Sequence, residues 1–371
     1  MGSAAAASLA ERGHAVLAFD PYTPPHAHGS SHGKSRIFRQ AYWEDPRYVH
    51  LLLRARELWD KLERDTGTKL LHVTGALMIT PPQGQLVLRS AEAARQFNLP
   101  HEMLSAAELI RRWPVFRVAS DTTALLEHNA GYLVPELCIE RQLVQASRAG
   151  AELHFDEPVL EWSASPQGAI TVRTPRGRYS AGHLVITAGP WVPQVLSEMQ
   201  LPLQVTRQVL YWFAPRDKPE LFREGNLPIY LIESNDHPRI LYGFPLIGPD
   251  TEGIKVAVHG SSDVCTPETV RREILPEDER SIRERLEHTI PLLAGRLLRA
   301  ETCLYTMTPD EHFVLGAHPH FPAVTIAAGF SGHGFKFAPL IGEILADLAA
   351  TGQSRQDLAM FSPARFAKTA G

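Results

Sequence analysis

Residues 2–20 read GSAAAASLAERGHAVLAFD and contain a helix, a strand and an acid, in that order. The alanine-rich segment predicts a helix from about Ser3 to Arg12, closed at its C-terminus by Gly13. The apolar run that follows, residues 14–20, predicts a buried parallel strand. The segment therefore has the order of the second half of a βαβ unit.

A comparison with the dinucleotide-binding fingerprint extends this interpretation. In that fingerprint the glycines of G-x-G-x-x-G precede the helix, and an acid about 20 residues further on binds a ribose hydroxyl. Gly2 and Asp20 match the last glycine and the acid. The first strand and the first two glycines would lie before Met1, so the first strand is missing from the predicted unit. An ordinary helix followed by a strand stays the alternative, because the fingerprint needs both flanks.

Length and composition limit the class of protein. A chain of 371 residues predicts two domains, or one large domain with insertions. Hydrophobic residues make up 44% and charged residues 21%, which excludes disordered, collagen-like and disulfide-framework proteins. Lys and Arg total 37 against 41 Asp and Glu, a net charge of -4, so neither nucleic acid nor an anionic membrane is an expected partner.

The cysteines predict the compartment. Cys138, Cys265 and Cys303 are too few and too scattered for a disulfide framework or a C-x-x-C metal site, which favours a reducing cytoplasm. No apolar run approaches the roughly 20 residues that span a bilayer. The alanine-rich start carries Glu11 and lacks a basic region, so it is not predicted to be a signal peptide.

Hydrophobic periodicity predicts an α/β fold with a Rossmann-like domain and an inserted antiparallel-sheet domain. Residues 205–259 form successive strands without intervening helices, which is typical of an antiparallel sheet. Residues 151–189 have a parallel-sheet pattern, and Pro276 to Leu298 is predicted to be helical. The dinucleotide-binding domain is expected to comprise residues 1–70, 145–200 and 305–371. The second domain is expected to comprise residues 71–144 and 201–304.

A glycine-rich loop is the first candidate site. Residues 329–336, GFSGHGFK, lie between a buried strand and an amphipathic helix. Three glycines permit tight backbone turns, and the free N–H groups of a helix start carry partial positive charge. His333 and Lys336 add two groups that can hold negative charge. An anion or an electron-accepting ring is expected here, with a flexible surface loop as the alternative.

The strand at residues 254–259 is the second candidate. Alternation places Lys255 and His259 on the same face. If that face lines a cleft, two neighbouring cations would favour an anion or a reduced oxygen species. A solvated sheet face is the alternative.

The loop before residue 40 is the third candidate. Arg36 and Arg39 lie three residues apart after a glycine-rich stretch, which suits the clamping of a phosphate, a carboxylate or an electron-rich ring. Ordinary surface arginines are the alternative. The histidines of this loop lack an acidic or cysteine partner at ligand spacing, so no metal is predicted.

Together these motifs resemble the monomeric sarcosine oxidase and N-methyltryptophan oxidase family of FAD-dependent amine oxidases. The similar runs follow in order over essentially the whole chain. They are Pro24-Pro-His26, Gly29-Ser30, His32-Gly33, Arg36-Ile37, Arg39, Ala41-Tyr42, Thr187-Ala-Gly-Pro-Trp191, Tyr242-Gly-Phe-Pro245, Lys255, Cys303, Tyr305-Thr306, Asp310-Glu-His-Phe313 and Gly329 to Phe337.

The resemblance implies a two-domain flavoprotein oxidase with FAD attached covalently through a thioether to Cys303. Lys255 matches the lysine that promotes reaction of the reduced flavin with dioxygen. Arg39 and Lys336 match the groups that hold the substrate carboxylate. The other residues implied to be catalytic are Tyr242 and His259.

The resemblance also implies a set of cofactor contacts, in which Asp20 binds the ribose and the backbone of Val159 meets the adenine. The implied cofactor-binding residues are Gly2, Asp20, Ser30, His32, Arg36, Val159, Gly189, Cys303, Thr306, Gly332, His333, Gly334 and Lys336.

The implied reaction oxidises a secondary amino acid such as sarcosine to an imine, which water hydrolyses, while dioxygen becomes hydrogen peroxide. The family suggests a monomer. Gln40 replaces a histidine and Lys34 an acid of the family pattern, so N-methyltryptophan or pipecolate stay open as substrates. Because the first strand is missing from the pattern, a flavin-free binding protein or an inactive remnant also stays open.

Overall fold

The computed structural model describes residues 1–165 and 168–366, and these contain eight α-helices. None of the helices in this part of the chain is long and apolar enough to cross a membrane. The helices are α1 (Gly2–Glu11), α2 (Tyr48–Thr66), α3 (Gln85–Gln96), α4 (Ala106–Arg112), α5 (Pro135–Arg148), α6 (Val192–Val195), α7 (Pro276–Thr289) and α8 (Ala338–Thr351).

Nineteen strands form five sheets within the described residues. The strands are β1 (Leu17–Phe19), β2 (Arg36–Phe38), β3 (Leu71–Val73), β4 (Ala76–Thr80), β5 (His101–Ser105), β6 (Thr123–Glu127), β7 (Gly131–Leu133), β8 (Glu152–His154), β9 (Glu161–Ala164), β10 (Ile170–Thr174), β11 (Gly177–Ala181), β12 (Leu184–Ile186), β13 (Gln204–Phe213), β14 (Ile229–Ser234), β15 (His237–Gly243), β16 (Ile254–Val258), β17 (Leu297–Met307), β18 (Val314–Ala317) and β19 (Val324–Ala328).

The largest sheet has eight strands in the order β17-β13-β16-β15-β14-β4-β6-β5. All neighbours are antiparallel except β14 and β4, which are parallel. The predicted antiparallel region at residues 205–259 supplies four neighbouring strands of this sheet, β13 to β16. The predicted α/β class with a mostly antiparallel second sheet is therefore confirmed.

Two parallel strand pairs, β1 with β8 and β12 with β19, belong to the Rossmann-like part of the fold. Helix α1 packs against α5 and α8 through its buried alanines. Alanine allows this close packing because it has no side chain beyond Cβ. At the contact between α1 and α8, a Cβ on Gly342 would lie 2.5 Å from the carbonyl oxygen of Ala4.

Three sequence predictions need correction. The strand predicted for residues 14–20 is short and partly exposed, because β1 pairs with β8 alone in a two-stranded sheet. Within residues 151–189, β9, β10 and β11 form an antiparallel sheet instead of a parallel one, since a two-residue turn joins β10 to β11 and parallel pairs need long crossovers. The helix predicted for residues 276–298 ends at Thr289, close before Pro291, and β17 follows.

The two faces of the large sheet contact different cores. Leu241 of β15 packs in a core that includes residues of α7. Leu231 and Tyr242 belong to the opposite core, which includes residues of α2 and α8. Because successive side chains of a strand alternate, one strand contributes to both cores.

Candidate active site

The first part of the candidate site, called here the Cys303 cluster, consists of His32, Arg36, Lys255 and Cys303. Cys303 lies on β17 and Lys255 on β16. His32 lies on the loop before β2, and Arg36 is the first residue of β2. The Arg36 guanidinium lies 3.6 Å from the Cys303 sulfur and donates to the Ser30 carbonyl at 2.8 Å. The cluster therefore surrounds a thiol with basic groups.

These basic groups change the acidity of the thiol. Burial by itself raises the pKa of Cys303, but the imidazole of His32 and the charges of Arg36 and Lys255 outweigh it and lower that pKa to about 7. Glu301 lies 3.5 Å from the His32 ring, and the contact with this ring lowers the pKa of Glu301 to about 2. Cys303 therefore has a large thiolate fraction at neutral pH.

Lys255 is held by backbone carbonyls. Its ammonium donates to Gly33 O at 2.7 Å and to Ser35 O at 2.8 Å. On the other side of this loop, Glu136 accepts the N–H groups of Gly33 at 2.7 Å and Lys34 at 3.0 Å. Burial, assisted by the charge of Arg36, lowers the pKa of Lys255 well below its usual value. A negative charge next to this ammonium would raise the pKa again.

The second part of the site, called the Lys336 cluster, consists of Arg39, Tyr42, Glu44, His333 and Lys336. His333 Nε2 lies 3.0 Å from the Glu311 carbonyl, and Nδ1 lies 2.6 Å from the Tyr42 hydroxyl. Because a carbonyl only accepts, Nε2 carries the proton and Nδ1 accepts from the hydroxyl. Burial lowers the pKa of His333 to about 3, so this ring is neutral.

Lys336 contributes a buried amine to this cluster. It donates to the His333 carbonyl at 2.8 Å and lies 3.5 Å from the Tyr42 hydroxyl. The indole of Trp59 donates to the Lys336 carbonyl at 2.8 Å and fixes the backbone. Burial, together with the charge of Arg39, lowers the pKa of Lys336 to about 7. The residue is therefore close to half protonated at neutral pH.

Arg39, the other predicted carboxylate ligand, is paired with a residue that the sequence did not reveal. One of its terminal nitrogens lies 2.5 Å and 2.6 Å from the two Glu44 oxygens, and the other donates to Ala41 O at 3.1 Å. The pKa of Glu44 is lowered, since Arg39 outweighs the effect of burial. A substrate carboxylate would compete with Glu44 for Arg39.

Aromatic residues join the two clusters into one site. The rings of Tyr305 and His259 lie 5.6 Å apart, and a Cβ at Gly332 would collide with the Tyr305 ring. Tyr242 packs beside Cys303. Burial lowers the pKa of His259 to about 4, so this ring is neutral. The predicted pair of neighbouring cations, Lys255 and His259, is therefore wrong in charge, and the charges that act on His259 are those of Glu44, Lys336 and Arg39.

Most of the expected nucleotide contacts lie apart from these clusters. Asp20, at the end of β1, accepts the Tyr22 N–H at 2.9 Å and lies 3.3 Å from His26. Its carbonyl accepts the Glu157 N–H at 3.0 Å, which places the segment before Val159 beside it. Val159 itself is 41% exposed.

The glycines of the expected set lie at strand and helix ends. Gly2 begins α1, where a Cβ would lie 2.9 Å from the Thr187 hydroxyl just after β12. Gly189 follows β12 with a φ of +54°, and a Cβ there would meet no atom within 4 Å. Gly334 packs against Phe330 in the loop before α8. The end of β12 and the start of α1 are thus neighbours.

The residues present fit the FAD that the resemblance implies. Two buried hydroxyl oxygens, those of Ser35 and Thr306, have no hydrogen-bond partner within the described residues, and the buried His32 ring has only long contacts such as the one of 3.5 Å with Glu301. Buried polar groups are normally paired, so these atoms indicate a missing partner. Arg36, Lys255 and Lys336 form no ion pair within this part of the chain, which favours a partner with negative charge.

The sequence did not identify three carboxylates that position the site. Besides Glu44 and Glu136, Glu127 accepts the N–H groups of Gln40 at 2.7 Å and Ala41 at 3.0 Å. Glu127 is fully buried at the end of the apolar segment Ala124-Leu-Leu. The sequence does contain a signal for Glu127, a single acid at the end of an apolar strand. A buried charge needs polar partners, so such an acid predicts hydrogen bonds to another segment.

Comparisons with known proteins agree with this geometry. A family model described as DAO, FAD dependent oxidoreductase, matches residues 1–348. A monomeric sarcosine oxidase of Streptomyces avermitilis is 46% identical over 369 residues, covering 99% of this chain and 95% of the relative. An N-methyl-L-tryptophan oxidase of Yersinia pestis is 35% identical and covers 99% of this chain and 96% of the relative.

Solved structures show the same fold. NikD, described as an unusual amino acid oxidase essential for nikkomycin biosynthesis, aligns with a TM-score of 0.86 at 24% identity, over 97% of this chain and 94% of NikD. An L-proline dehydrogenase of P. horikoshii aligns with a TM-score of 0.84 at 23% identity, over 98% and 94% of the two chains.

Proposed function

Because this chain belongs to the DAO family of FAD-dependent oxidoreductases, we propose that it is an oxidase of secondary, N-methyl amino acids such as sarcosine. The observation that carries the proposal is one buried site that combines an acidic thiol, Cys303, with two buried lysines, Lys255 and Lys336. Bound FAD would supply a two-electron acceptor for the hydride equivalent that the N-methyl group loses, and dioxygen would take up the two electrons. The products are an imine, hydrolysed to an aldehyde and an amine, and hydrogen peroxide.

The Lys336 cluster is proposed to bind the substrate carboxylate. The ammonium of Lys336 is buried and lacks a carboxylate partner in the described structure, so an anion would stabilise its charged form. Arg39 would exchange part of its contact with Glu44 for the substrate. The neutral rings of His259 and His333 add hydrogen-bonding groups without adding charge.

Lys255 is proposed to act in the reaction with dioxygen. Dioxygen gains negative charge when it is reduced, and a fixed ammonium beside it stabilises that charge without reorganisation. The carbonyls of Gly33 and Ser35 hold Nζ in place through two of its three N–H groups. The third N–H is left for a partner outside the described residues.

Cys303 is proposed to carry the covalent flavin. The thiolate would bond to a methyl carbon of the flavin, that carbon would lose a C–H proton, the electron pair would reduce the flavin, and dioxygen would reoxidise it. The pKa of about 7 makes the thiolate available at neutral pH. Arg36, 3.6 Å from the sulfur, would stabilise the thiolate before the bond forms.

Three further assignments belong to the same proposal. The dinucleotide-binding domain is proposed to comprise residues 1–70, 145–200 and 305–371, and the substrate domain residues 71–144 and 201–304. The protein is proposed to work as a monomer in the cytoplasm. Its three cysteines are free thiols, which fits a reducing compartment.

A substrate panel scored by peroxide release tests the oxidase activity. Sarcosine, N-methyltryptophan and pipecolate would be compared with glycine as a primary-amine control. We expect peroxide from at least one of the three secondary amines, with sarcosine the fastest. Absence of peroxide from all three, with a colourless protein, would support a flavin-free binding protein instead.

Acid precipitation tests the covalent attachment. We expect a yellow pellet from the wild-type protein, and a colourless pellet with a yellow supernatant from Cys303→Ala. Cys265→Ala is the matched control, since this half-buried cysteine lies outside the Cys303 cluster. A yellow pellet from Cys303→Ala would show that another residue holds the flavin.

A further inference from the structure

A cavity with several polar lining residues lies on the opposite face of the large sheet from the candidate active site. It has a volume of about 210 Å³ and lies between the β14–β15 hairpin and α7. Leu241 lines it, whereas the next residue, Tyr242, faces the active site. Since neighbouring side chains of a strand point to opposite faces, the sheet itself separates this cavity from the candidate active site.

Arg285 of α7 is the unusual residue of this cavity. Its side chain is buried, with 6% of the residue exposed, and it forms no ion pair within the described residues. One terminal nitrogen donates to the Arg239 carbonyl at 2.5 Å, which uses one of the five N–H donors of a guanidinium. Burial, together with the charge of Arg239, lowers the pKa of Arg285. A buried cation without a counter-ion is costly and indicates a site for an anion.

The other lining groups can complete such a site. His237 and His288 both line the cavity with Arg285. His288 Nδ1 lies 2.7 Å from the Glu284 carbonyl, so this nitrogen carries a proton, and in the neutral ring Nε2 can only accept a hydrogen bond. The Ser234 oxygen accepts the Asp236 N–H at 3.3 Å, and its own proton is available for donation.

One acidic group also lines the cavity. The carboxylate of Asp236 belongs to an exposed residue of the hairpin turn and forms no ion pair with Arg285 within the described residues. Because it is solvated, Asp236 can turn away from an incoming anion at little cost. The buried charge of the cavity is therefore positive.

We propose that this cavity binds a small oxyanion, with the guanidinium fork of Arg285 as its main ligand and His237 and Ser234 as further donors. The planar fork of arginine matches the paired oxygens of phosphate and carboxylate groups. The ligand is inorganic phosphate or the carboxylate of a small acid, and both share this chemistry. The site is separate from the proposed oxidase reaction and does not depend on it.

Calorimetric titration of the purified full-length protein with sodium phosphate tests the site, and titration with sodium succinate distinguishes the two oxyanion sources. Sodium chloride at matched ionic strength is the control. We expect saturable binding of one of the two oxyanions with one ligand per chain. Arg285→Met should weaken that binding about tenfold or more, because a charge-assisted hydrogen bond is lost.

Arg280→Met is the matched variant, because Arg280 is an exposed arginine of the same helix. It should bind as the wild type does. If Arg285→Met fails to fold, His237→Leu replaces it and should also weaken binding. Equal binding by the wild type and the variant that folds, or no saturable binding of either oxyanion, would overturn the proposal and leave a cavity that holds water only.

Discussion

The two buried lysines of the site, Lys255 and Lys336, have different hydrogen-bond partners. Lys255 lies between two loop carbonyls, and Lys336 lies beside one carbonyl and a tyrosine hydroxyl. Burial lowers the pKa of both. Each is therefore sensitive to negative charge in its surroundings, and separate experiments can assign one to oxygen and the other to the substrate.

For Lys255 we expect Lys255→Met to slow flavin reoxidation by dioxygen far more than flavin reduction by substrate. The physical reason is the loss of a positive charge where negative charge develops on oxygen, an effect that typically reaches about a hundredfold or more. Stopped-flow absorbance measures the two half-reactions separately. Lys69→Met, at an exposed surface lysine, is the control, and equal slowing of both half-reactions would contradict the assignment.

For Lys336 we expect carboxylate affinity to fall as the pH rises through about 7. Below that pH the ammonium is charged and attracts the anion, and above it the proton is lost. The inhibition constant of acetate should therefore rise with pH between 6 and 9, by at most about tenfold per pH unit.

The control for this pH profile is Lys336→Arg, which keeps its charge and should flatten the profile. Inhibition constants that do not change with pH in the wild type, or that rise equally in the variant, would show that another group causes the effect.

At the scale of elements, the contact between α1 and α8 depends on a residue without a side chain. Gly342 lies so close to α1 that a Cβ would approach the backbone oxygen of Ala4 to 2.5 Å. Neither backbone can yield without moving a helix. Since α1 begins at Gly2, one of the expected cofactor contacts, a shift of this helix would also disturb cofactor binding.

We expect Gly342→Ala to lower the free energy of unfolding by about 1–3 kcal/mol, as is typical of overpacked cores. Urea unfolding followed by circular dichroism measures it. Gly182→Ala is the matched control, because a Cβ there meets no atom within 4 Å and the change should be close to neutral. Equal stabilities of the two variants would mean that the helices adjust without cost.

At the scale of the whole molecule, Glu127 connects the large sheet to the loop that carries Arg39. Its two oxygens accept the N–H groups of Gln40 and Ala41, at 2.7 Å and 3.0 Å. Burial raises the pKa of Glu127 despite these bonds, so the charged form of this carboxylate is destabilised by its surroundings. The two hydrogen bonds fix the position of the loop that carries Arg39 relative to β6, a strand that is distant in the sequence.

We expect Glu127→Gln to raise the Michaelis constant of the carboxylate substrate about tenfold and to lower the melting temperature. The amide replaces one acceptor oxygen by a donor that faces another donor, which leaves a buried N–H unpaired. Steady-state kinetics and thermal unfolding measure the two effects. Glu102→Gln is the control, because Glu102 lies on the neighbouring strand β5 and forms an exposed ion pair with Arg112 of α4. This variant should change neither quantity. An equal effect of both variants would contradict the role of Glu127.

The sequence by itself determined much of this protein. The alanine-rich segment predicted α1 to within one residue at each end, the pattern of residues 205–259 predicted the antiparallel strands, and the motifs around Lys255, Cys303 and Lys336 resemble those of flavin-dependent amine oxidases. These features are local, because side-chain period and short motifs depend on neighbouring residues only.

Only the tertiary structure decided which groups meet and in which charge state. The pairing of Arg39 with Glu44, the neutral His259 and the position of Glu127 depend on burial and on contacts between distant segments. The oxyanion cavity around Arg285 has the same origin, since α7 and the β14–β15 hairpin are far apart in the chain. The pKa of a group and its interactions with other charges depend on burial and on neighbouring groups, and only the folded chain determines these surroundings.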